Sequence, residues 1–189
     1  MEKLAAAMQG SGKLDLRNVT VCAADSVTVA LAARALRHSM ALCDFGDAIF
    51  FTDAPIAGDF RTVKIDRLAS RADYSRFVFK DLANFIATPF ALVLQWDGYV
   101  LDPSAWRPSF LQFDYIGAKW PWHHDAMSVG NGGFSLRSRK LLESTAADRY
   151  PLLQDVPEDE LICRHYRQAL MADAGIRFAP VEVADAFAY

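Results

Sequence analysis

Three short apolar runs in the first half of the chain predict buried strands, and each of them ends in an aspartate. They read VTVCAAD at residues 19–25, AIFFTD at residues 48–53 and FALVLQWD at residues 90–97. A further short strand is expected at residues 61–65. Uninterrupted apolar strands are typical of a sheet that is covered on both faces, so the pattern favours a largely parallel sheet.

Two segments between these strands have apolar residues at helical spacing. Residues 27–42 form the first, and residues 73–86 form the second, with Asp73 as its expected N-cap. Strands that alternate with helices of this length predict an α/β fold. We therefore expect a Rossmann-like three-layer sandwich with a mostly parallel central sheet.

The second half of the chain is less regular. We expect a helix at residues 104–113, a strand at 114–118, and a glycine loop, short strand and helix across 129–145. A last helix should begin near residue 157 and end at Gly175. No low-complexity linker interrupts the chain, so the prediction is a lead-in over residues 1–18 and one domain over residues 19–189.

Composition narrows the classes of protein that fit this pattern. The 189 residues are 52% hydrophobic and 23% charged, which is enough for a packed core. The net charge of −3 and the pI near 5.8 do not indicate nucleic acid as a partner. The 3 cysteines are widely spaced, which favours a reducing compartment. We expect no membrane span and no secretory signal, and hence a cytoplasmic protein.

The strand-end aspartates Asp25, Asp53 and Asp97 are the first candidates for a site. Ligands of open α/β sheets bind beyond the carboxyl ends of the strands, where these side chains converge. Carboxylates at that edge can accept hydrogen bonds from ribose or hold a divalent cation. Aspartate also favours turns and helix starts for structural reasons alone, and that alternative stays open for each residue.

The segment QWDG at the end of the third apolar run is the most informative stretch. Gln95 and Asp97 are two residues apart, so a strand projects them to the same side, with Trp96 and Gly98 beside them. Such oxygen ligands suit a hard cation that bridges a diphosphate. A turn with Gln95 hydrogen-bonded in the core explains the pattern equally well. Lys80, on the preceding helix, is either a solvated lysine or a cation for phosphate.

Three further stretches have side chains suited to binding or catalysis. In VGNGGF, Asn131, Gly132, Gly133 and Phe134 allow either a close approach of ligand or a tight turn. In PEDE, Glu158 and Asp159 suit a helix start whether or not they are catalytic. Trp120 and Trp122 fall in an expected loop, where tryptophan often stacks on sugar rings or is buried against a partner surface. The adjacent His123 and His124 are a weaker candidate for metal binding.

In this order, QWDGYVL, NGGFSLRS and PED resemble a largely bacterial and fungal family known mainly as a domain of unknown function. That family is similar to nucleotide-sugar glycosyltransferases of the GT-A fold, and the resemblance runs from about Val19 to the chain end. It implies a GT-A-like fold and transfer of a sugar from a nucleotide-diphosphate donor to a glycan or other hydroxyl acceptor. It also implies a cytoplasmic place in surface-glycan assembly, where the protein associates with a membrane through the assembly pathway.

The resemblance also implies roles for individual residues. Asp159, with Glu158, corresponds to the catalytic base of inverting enzymes. Gln95-Trp96-Asp97 takes the place of an Asp-x-Asp motif, so Asp97 would hold Mn²⁺ or Mg²⁺ and Gln95 replaces the first acid. The expected donor-binding residues are Asp25, Asp53, Lys80, Gln95, Trp96, Asp97 and Gly98. The expected acceptor-binding or sugar-binding residues are Trp120, Trp122, Asn131, Gly132, Gly133 and Phe134. The alternative function is a catalytically degenerate module of the same fold that binds nucleotide or glycan.

Overall fold

A six-stranded sheet forms the centre of the computed structural model, which describes residues 12–188. Its order is β3-β2-β1-β4-β6-β5. The first four strands are mutually parallel, and β6 runs antiparallel to both β4 and β5. The strands are β1 (Leu14–Ala24), β2 (Cys43–Thr52), β3 (Arg61–Lys64), β4 (Phe90–Leu94), β5 (Tyr115–Lys119) and β6 (Val129–Ser138).

Helices and short helical turns cover both faces of the sheet. The helices are α1 (Val29–Leu42), α2 (Arg71–Arg76), α3 (Arg139–Ala146), α4 (Glu158–Glu160), α5 (Arg167–Ala174) and α6 (Val181–Phe187). In the buried second half of β2, Phe50 belongs to the apolar cluster on the α1 face and Phe51 to the cluster on the α2 face. Burial on both faces explains the continuous apolar strands. The predicted α/β sandwich with a mostly parallel sheet is confirmed.

β1 is longer than its apolar run predicted. It begins at Leu14, inside the expected lead-in. Its first residues pair with β2, while the pairing with β4 starts only at Val19, and they alternate between buried and exposed positions instead of forming an apolar run. That alternation puts polar residues such as Asp15 and Arg17 into a strand. Residues 1–11 of the predicted lead-in lie outside the described part of the chain.

The helix predicted at 73–86 begins earlier and is not one regular helix. Ser70 is its N-cap, and Asp73 is the third helical residue, whose carboxylate accepts the Ser70 N–H in a capping box. After α2 the helix first widens into a π-helical turn (Phe77–Asp81) and then tightens into a 3-10 turn (Leu82–Phe85). The predicted Asp73 cap is therefore wrong.

The second half contains the largest differences from the prediction. The glycines at 130–133 lie within β6 instead of a loop, and residues 104–113 form two 3-10 turns (Pro103–Ala105 and Pro108–Gln112) instead of a helix. The helix α6 was not predicted. The last predicted helix is interrupted by a π-helical turn (Leu161–His165), but its end at Gly175, with φ of 60°, is confirmed. Within residues 12–188, no helix has the length and apolarity to cross a membrane.

Candidate functional site

The end of β4 and the first half of β6 meet at a pair of glycines. The backbone N–H of Gln95 donates to the carbonyl of Gly133 at 2.9 Å, and the Gly98 N–H donates to the Gln95 carbonyl at 3.1 Å to close the QWDG turn. A Cβ on Gly133 would lie 3.1 Å from Gln95 Oε1, and one on Gly132 would lie 3.1 Å from Asp159 Cβ. Gly133 therefore contacts the side chain of Gln95, and the adjacent Gly132 contacts the side chain of Asp159.

Asp159 is held firmly at this glycine pair. Its Oδ2 accepts the Gly132 N–H at 3.0 Å, and its Oδ1 accepts the Glu160 N–H at 2.9 Å. Burial, followed by the nearby charge of Glu158, raises the pKa of Asp159 from 3.8 to about 6. The carboxylate is thus oriented by two backbone donors and remains able to take up a proton near neutral pH.

Glu158 has a different environment from its neighbour. It is buried, and its Oε1 accepts from Arg137 Nη2 at 3.0 Å, while its Oε2 accepts the Ser75 hydroxyl at 3.3 Å. Arg137 is fully buried and also donates through Nε to Ser135 at 2.9 Å. Because both of its oxygens are paired in the interior, Glu158 is not free to act as a second base, which contradicts its predicted catalytic role.

Arg137 and Tyr74 lie beside Glu158, and neither was predicted from the sequence as a site residue. Tyr74 Oη and Arg137 Nη1 are buried without a hydrogen-bond partner among residues 12–188. Burial raises the pKa of Tyr74, whose hydroxyl lies near Glu158 and Gln95. An arginine in the middle of the buried NGGFSLRS strand was the available signal for Arg137. Tyr74 gave no such signal, because an aromatic residue fits the apolar face of a helix.

Asp25 and Asp53 have local structural partners. Asp25 Oδ1 accepts the backbone N–H of Val27 at 2.7 Å and that of Thr28, and its Oδ2 accepts the Thr28 hydroxyl at 2.7 Å. It forms the turn that leads into α1. Asp53 pairs with Arg67 at 3.4 Å, and the Ser26 hydroxyl is the main cause that lowers the pKa of Asp53. The structural alternative explains Asp25 in full, and neither Asp25 nor Asp53 lines the cavity that Asp97 lines.

Lys80 does not approach the QWDG turn. Its ammonium donates to the carbonyls of Thr145, Ala147 and Tyr150 at 2.6 to 3.0 Å, where the chain leaves α3. A cation that neutralises the carbonyls at a helix C-terminus is a structural arrangement. The predicted phosphate contact of Lys80 is therefore wrong for this conformation.

The aromatic residues of the site divide into buried and exposed ones. Trp120 is only 4% exposed and packs on Gly130, so it is not the loop platform that the sequence predicted. Trp122 and Trp96 are 63% and 46% exposed, respectively, and remain open to a ligand. His123 packs against both Trp120 and Trp122, with ring centroids 5.3 and 6.2 Å apart.

A cavity of about 610 Å³ opens beside the glycine pair. The predicted site residues that line it are Gln95, Asp97, Gly98, Asn131, Gly133 and Phe134. Its far wall comes from α6 and from the segment 99–106, whose Val100 N–H donates to Ser39 on α1 at 3.1 Å. The structure thus brings the QWDG turn and the glycine strand to one cavity, and Asp159, which does not line it, is bonded to Gly132 next to the lining residue Gly133.

These side chains do not form a metal centre by themselves. Within residues 12–188, no three His, Cys, Asp or Glu side chains gather in a way that could hold a metal ion. Asp97 is exposed, and the other oxygen donor in the turn is the neutral amide of Gln95. The residues present therefore do not fit a resident divalent cation, and Asp97 stays a predicted ligand only.

Comparisons with known proteins give one family and a distant likeness. No curated protein matches the chain. Among solved structures, the chain is similar to a nucleotidyl transferase from Methanothermobacter thermautotroptrophicus (Mth528), with a TM-score of 0.45 and 14% identity over 85% of this chain and 84% of that one. The model of the family described as "Protein of unknown function (DUF5672)" matches residues 58–189, more than half of the sequence. The chain belongs to the DUF5672 family.

Proposed function

We propose that this protein is an inverting glycosyltransferase that moves a sugar from a nucleotide-diphosphate donor to a hydroxyl acceptor. The observation that carries the proposal is Asp159, a carboxylate with a pKa of about 6 that is bonded to Gly132, the neighbour of the cavity-lining residue Gly133. A general base works best when its pKa lies close to the operating pH. Asp159 meets that requirement, because it is mostly ionised at neutral pH.

In the proposed step, Asp159 takes the proton of the acceptor hydroxyl as that oxygen attacks the anomeric carbon of the donor. The bond from that carbon to the diphosphate oxygen breaks, and its electron pair leaves with the nucleotide diphosphate. The Gly132 and Glu160 N–H groups fix the orientation of the carboxylate. Glu158, Arg137 and Ser75 position the backbone from which Asp159 projects.

The donor belongs at the QWDG turn in this proposal. Gln95, Asp97 and Gly98 line the cavity, and Trp96 is exposed beside them. Asn131 and Gly133 face this turn from β6, so the donor sugar would lie between the turn and Asp159. Asp25, Asp53 and Lys80 have no part in the proposal, because none of them lines the cavity.

Isothermal titration calorimetry with UDP and GDP, with and without Mn²⁺, tests donor binding, and release of nucleotide diphosphate from a panel of nucleotide sugars tests transfer. We expect Asp159→Asn to lower transfer by about 10² to 10⁴-fold while nucleotide binding stays within two-fold or so. Glu160→Gln is the matched control, because it removes a carboxylate of the same helical turn and should leave transfer unchanged. Absence of nucleotide binding at millimolar concentration, or equal loss of binding and transfer in Asp159→Asn, would contradict the proposal.

A second candidate is a binding module that has this fold without turnover. The neutral Gln95 in the QWDG turn and the engagement of Lys80 with backbone carbonyls favour it, since both reduce the charge available to a diphosphate. The same experiment separates the two functions. Nucleotide binding without any release of diphosphate, unchanged by Asp159→Asn, would identify the binding module.

A further inference from the structure

We propose that Ser135 is a positioning residue for Asp159, because its hydroxyl holds the backbone of Gly132 in the orientation that presents the Gly132 N–H to the carboxylate. This inference rests on the proposed function, in which Asp159 is the base. Ser135 lies in β6 and is fully buried. Any effect of this side chain on the reaction must therefore pass through the protein itself.

The strand β6 bulges next to Ser135. Gly117 of β5 pairs with Ser135, and the next residue, Ala118, pairs with Asn131. Residues 132–134 therefore have no partner in β5, although their neighbours on both sides do. A bulge of this kind releases backbone groups from the ladder and turns them toward other partners.

Gly132 uses both of its released backbone groups to bind side chains. Its N–H donates to Asp159 Oδ2 at 3.0 Å, and its carbonyl accepts from Ser135 Oγ at 3.1 Å. Ser135 thus restrains the residue that orients Asp159, on the side opposite to the carboxylate contact. A glycine in a bulge has no side chain of its own that could fix its backbone, so this restraint has to come from a neighbour.

The direction of the Ser135 hydroxyl is determined by Arg137. Arg137 Nε donates to Ser135 Oγ at 2.9 Å, and a guanidinium has donors but no acceptor. The oxygen of Ser135 must therefore accept from Arg137, and its own proton is left for the Gly132 carbonyl. Arg137 is itself fixed by Glu158, which accepts from Nη2 at 3.0 Å. The hydrogen-bond chain consequently runs in one direction, from Arg137 through Ser135 to Gly132.

The restraint on Gly132 has a consequence for the ionisation of Asp159. Burial, followed by the charge of Glu158, raises the pKa of Asp159 to about 6, and the hydrogen bond from Gly132 opposes that rise. Without the Ser135 hydroxyl the Gly132 N–H is no longer held toward the carboxylate. The ionised form then loses a donor, and the pKa of Asp159 should rise further.

The first test needs no substrate. Carbon NMR of the full chain, with isotope-labelled aspartate carboxyl groups, follows the titration from pH 4 to pH 9, and Asp159→Asn assigns the signal. We expect a midpoint of about 6 in the unmodified chain and roughly 7 in Ser135→Ala, since the lost hydrogen bond goes to a charged group. Ser138→Ala is the matched control, because it removes another buried β6 hydroxyl, which is bonded to Asp114 at 2.7 Å, and should leave the midpoint unchanged.

A second variant and a second signal keep the test open if Ser135→Ala does not melt cooperatively. Ser135→Cys fills nearly the same space and keeps a weak donor and acceptor, so we expect a midpoint between those of the unmodified chain and the alanine variant. The Gly132 amide proton should follow the Asp159 titration in the unmodified chain and follow it less in both variants. An unchanged midpoint and an unchanged Gly132 amide titration in the variants that fold would overturn the proposal.

The pH dependence of transfer separates positioning from general damage. With the midpoint raised, kcat of Ser135→Ala should fall about five-fold at pH 6 and by less than two-fold or so at pH 8.5, with the KM of the donor unchanged. An equal loss at both pH values would contradict the proposal. Absence of transfer from every nucleotide sugar would contradict the proposed function instead, while the titration still decides the role of Ser135.

Discussion

Two aspartates stand at helix starts in this protein, and their surroundings give them different chemistry. Asp25 precedes α1 at the end of β1, and both of its oxygens accept hydrogen bonds from Val27 and Thr28. Asp159 lies in the first turn of α4, is largely buried beside Glu158, and has a pKa raised to about 6. The first is a turn-forming residue, and the second is suited to proton transfer.

The difference lies in what packs around each carboxylate, not in its position along the chain. Asp25 accepts hydrogen bonds from donors in its own turn, and these stabilise its negative charge locally. Asp159 shares a low-dielectric site with another acid, and the compensating charge of Arg137 is bonded to Glu158 instead. Burial opposes ionisation most, and the like charge of Glu158 adds to it, so the pKa of Asp159 is raised. Substitutions at four positions test this contrast, and they are taken in order of decreasing expected effect.

Removal of Arg137 should have the largest effect. Arg137→Met leaves the charge of Glu158 buried and unpaired, so we expect the free energy of unfolding to fall by about 3–5 kcal/mol. Urea denaturation monitored by circular dichroism measures it. The control is Arg61→Met in β3, which breaks a partly exposed ion pair with Asp47 and should cost roughly 1 kcal/mol or less. Equal losses in the two variants would show that the buried pair has no special role.

The sequence predicted the parts of this fold that follow from local periodicity. The helix α1, the apolar strands and the stop at Gly175 all follow from runs of neighbouring residues. The partners of Arg137 could not be predicted in this way, because Glu158 is 21 positions further along and Ser75 lies 83 positions before Glu158. The same limit applies to Lys80, since a lysine on a helix looks identical whether it meets phosphate or carbonyl groups.

Addition of a methyl group at Gly132 should have the next largest effect. A Cβ there would lie 2.7 Å from Glu158 Oε1 and 2.9 Å from Arg137 Nη2, and neither group can move without breaking the buried pair. We expect Gly132→Ala to lower the free energy of unfolding by about 2 kcal/mol. Gly133→Ala is the control, because its nearest neighbour is the partly exposed Gln95 side chain at 3.1 Å. A larger loss of unfolding free energy in Gly133→Ala than in Gly132→Ala would contradict this prediction.

Asp159→Asn should stabilise the protein at neutral pH. The folded-state pKa of about 6 is above the ordinary 3.8, so the folded protein binds this proton more tightly, and ionisation between about pH 4 and 6 reduces stability. The shift corresponds to about 3 kcal/mol at pH 7, and asparagine, which does not ionise, loses about 1 kcal/mol of it because its NH₂ group cannot accept one of the two backbone N–H groups. We therefore expect a gain on the order of 1–2 kcal/mol at pH 7 that disappears toward pH 4. Urea denaturation of both proteins at pH 4, 5, 6 and 7 measures the difference. A gain that is constant over this range would mean that the Asp159 carboxyl has an ordinary pKa.

The smallest effect should come from Asp25, where the two substitutions Asp25→Ala and Asp25→Asn distinguish a turn from a ligand. Alanine removes the acceptor for the Val27 and Thr28 N–H groups, so we expect a loss of about 1 kcal/mol in the free energy of unfolding. Asparagine keeps an oxygen in the same place and should recover most of that loss. Because neither substitution touches the cavity, calorimetry with UDP and GDP should give unchanged affinities for both. A loss of nucleotide affinity in Asp25→Asn with normal stability would instead place Asp25 in the donor site and remove the contrast with Asp159.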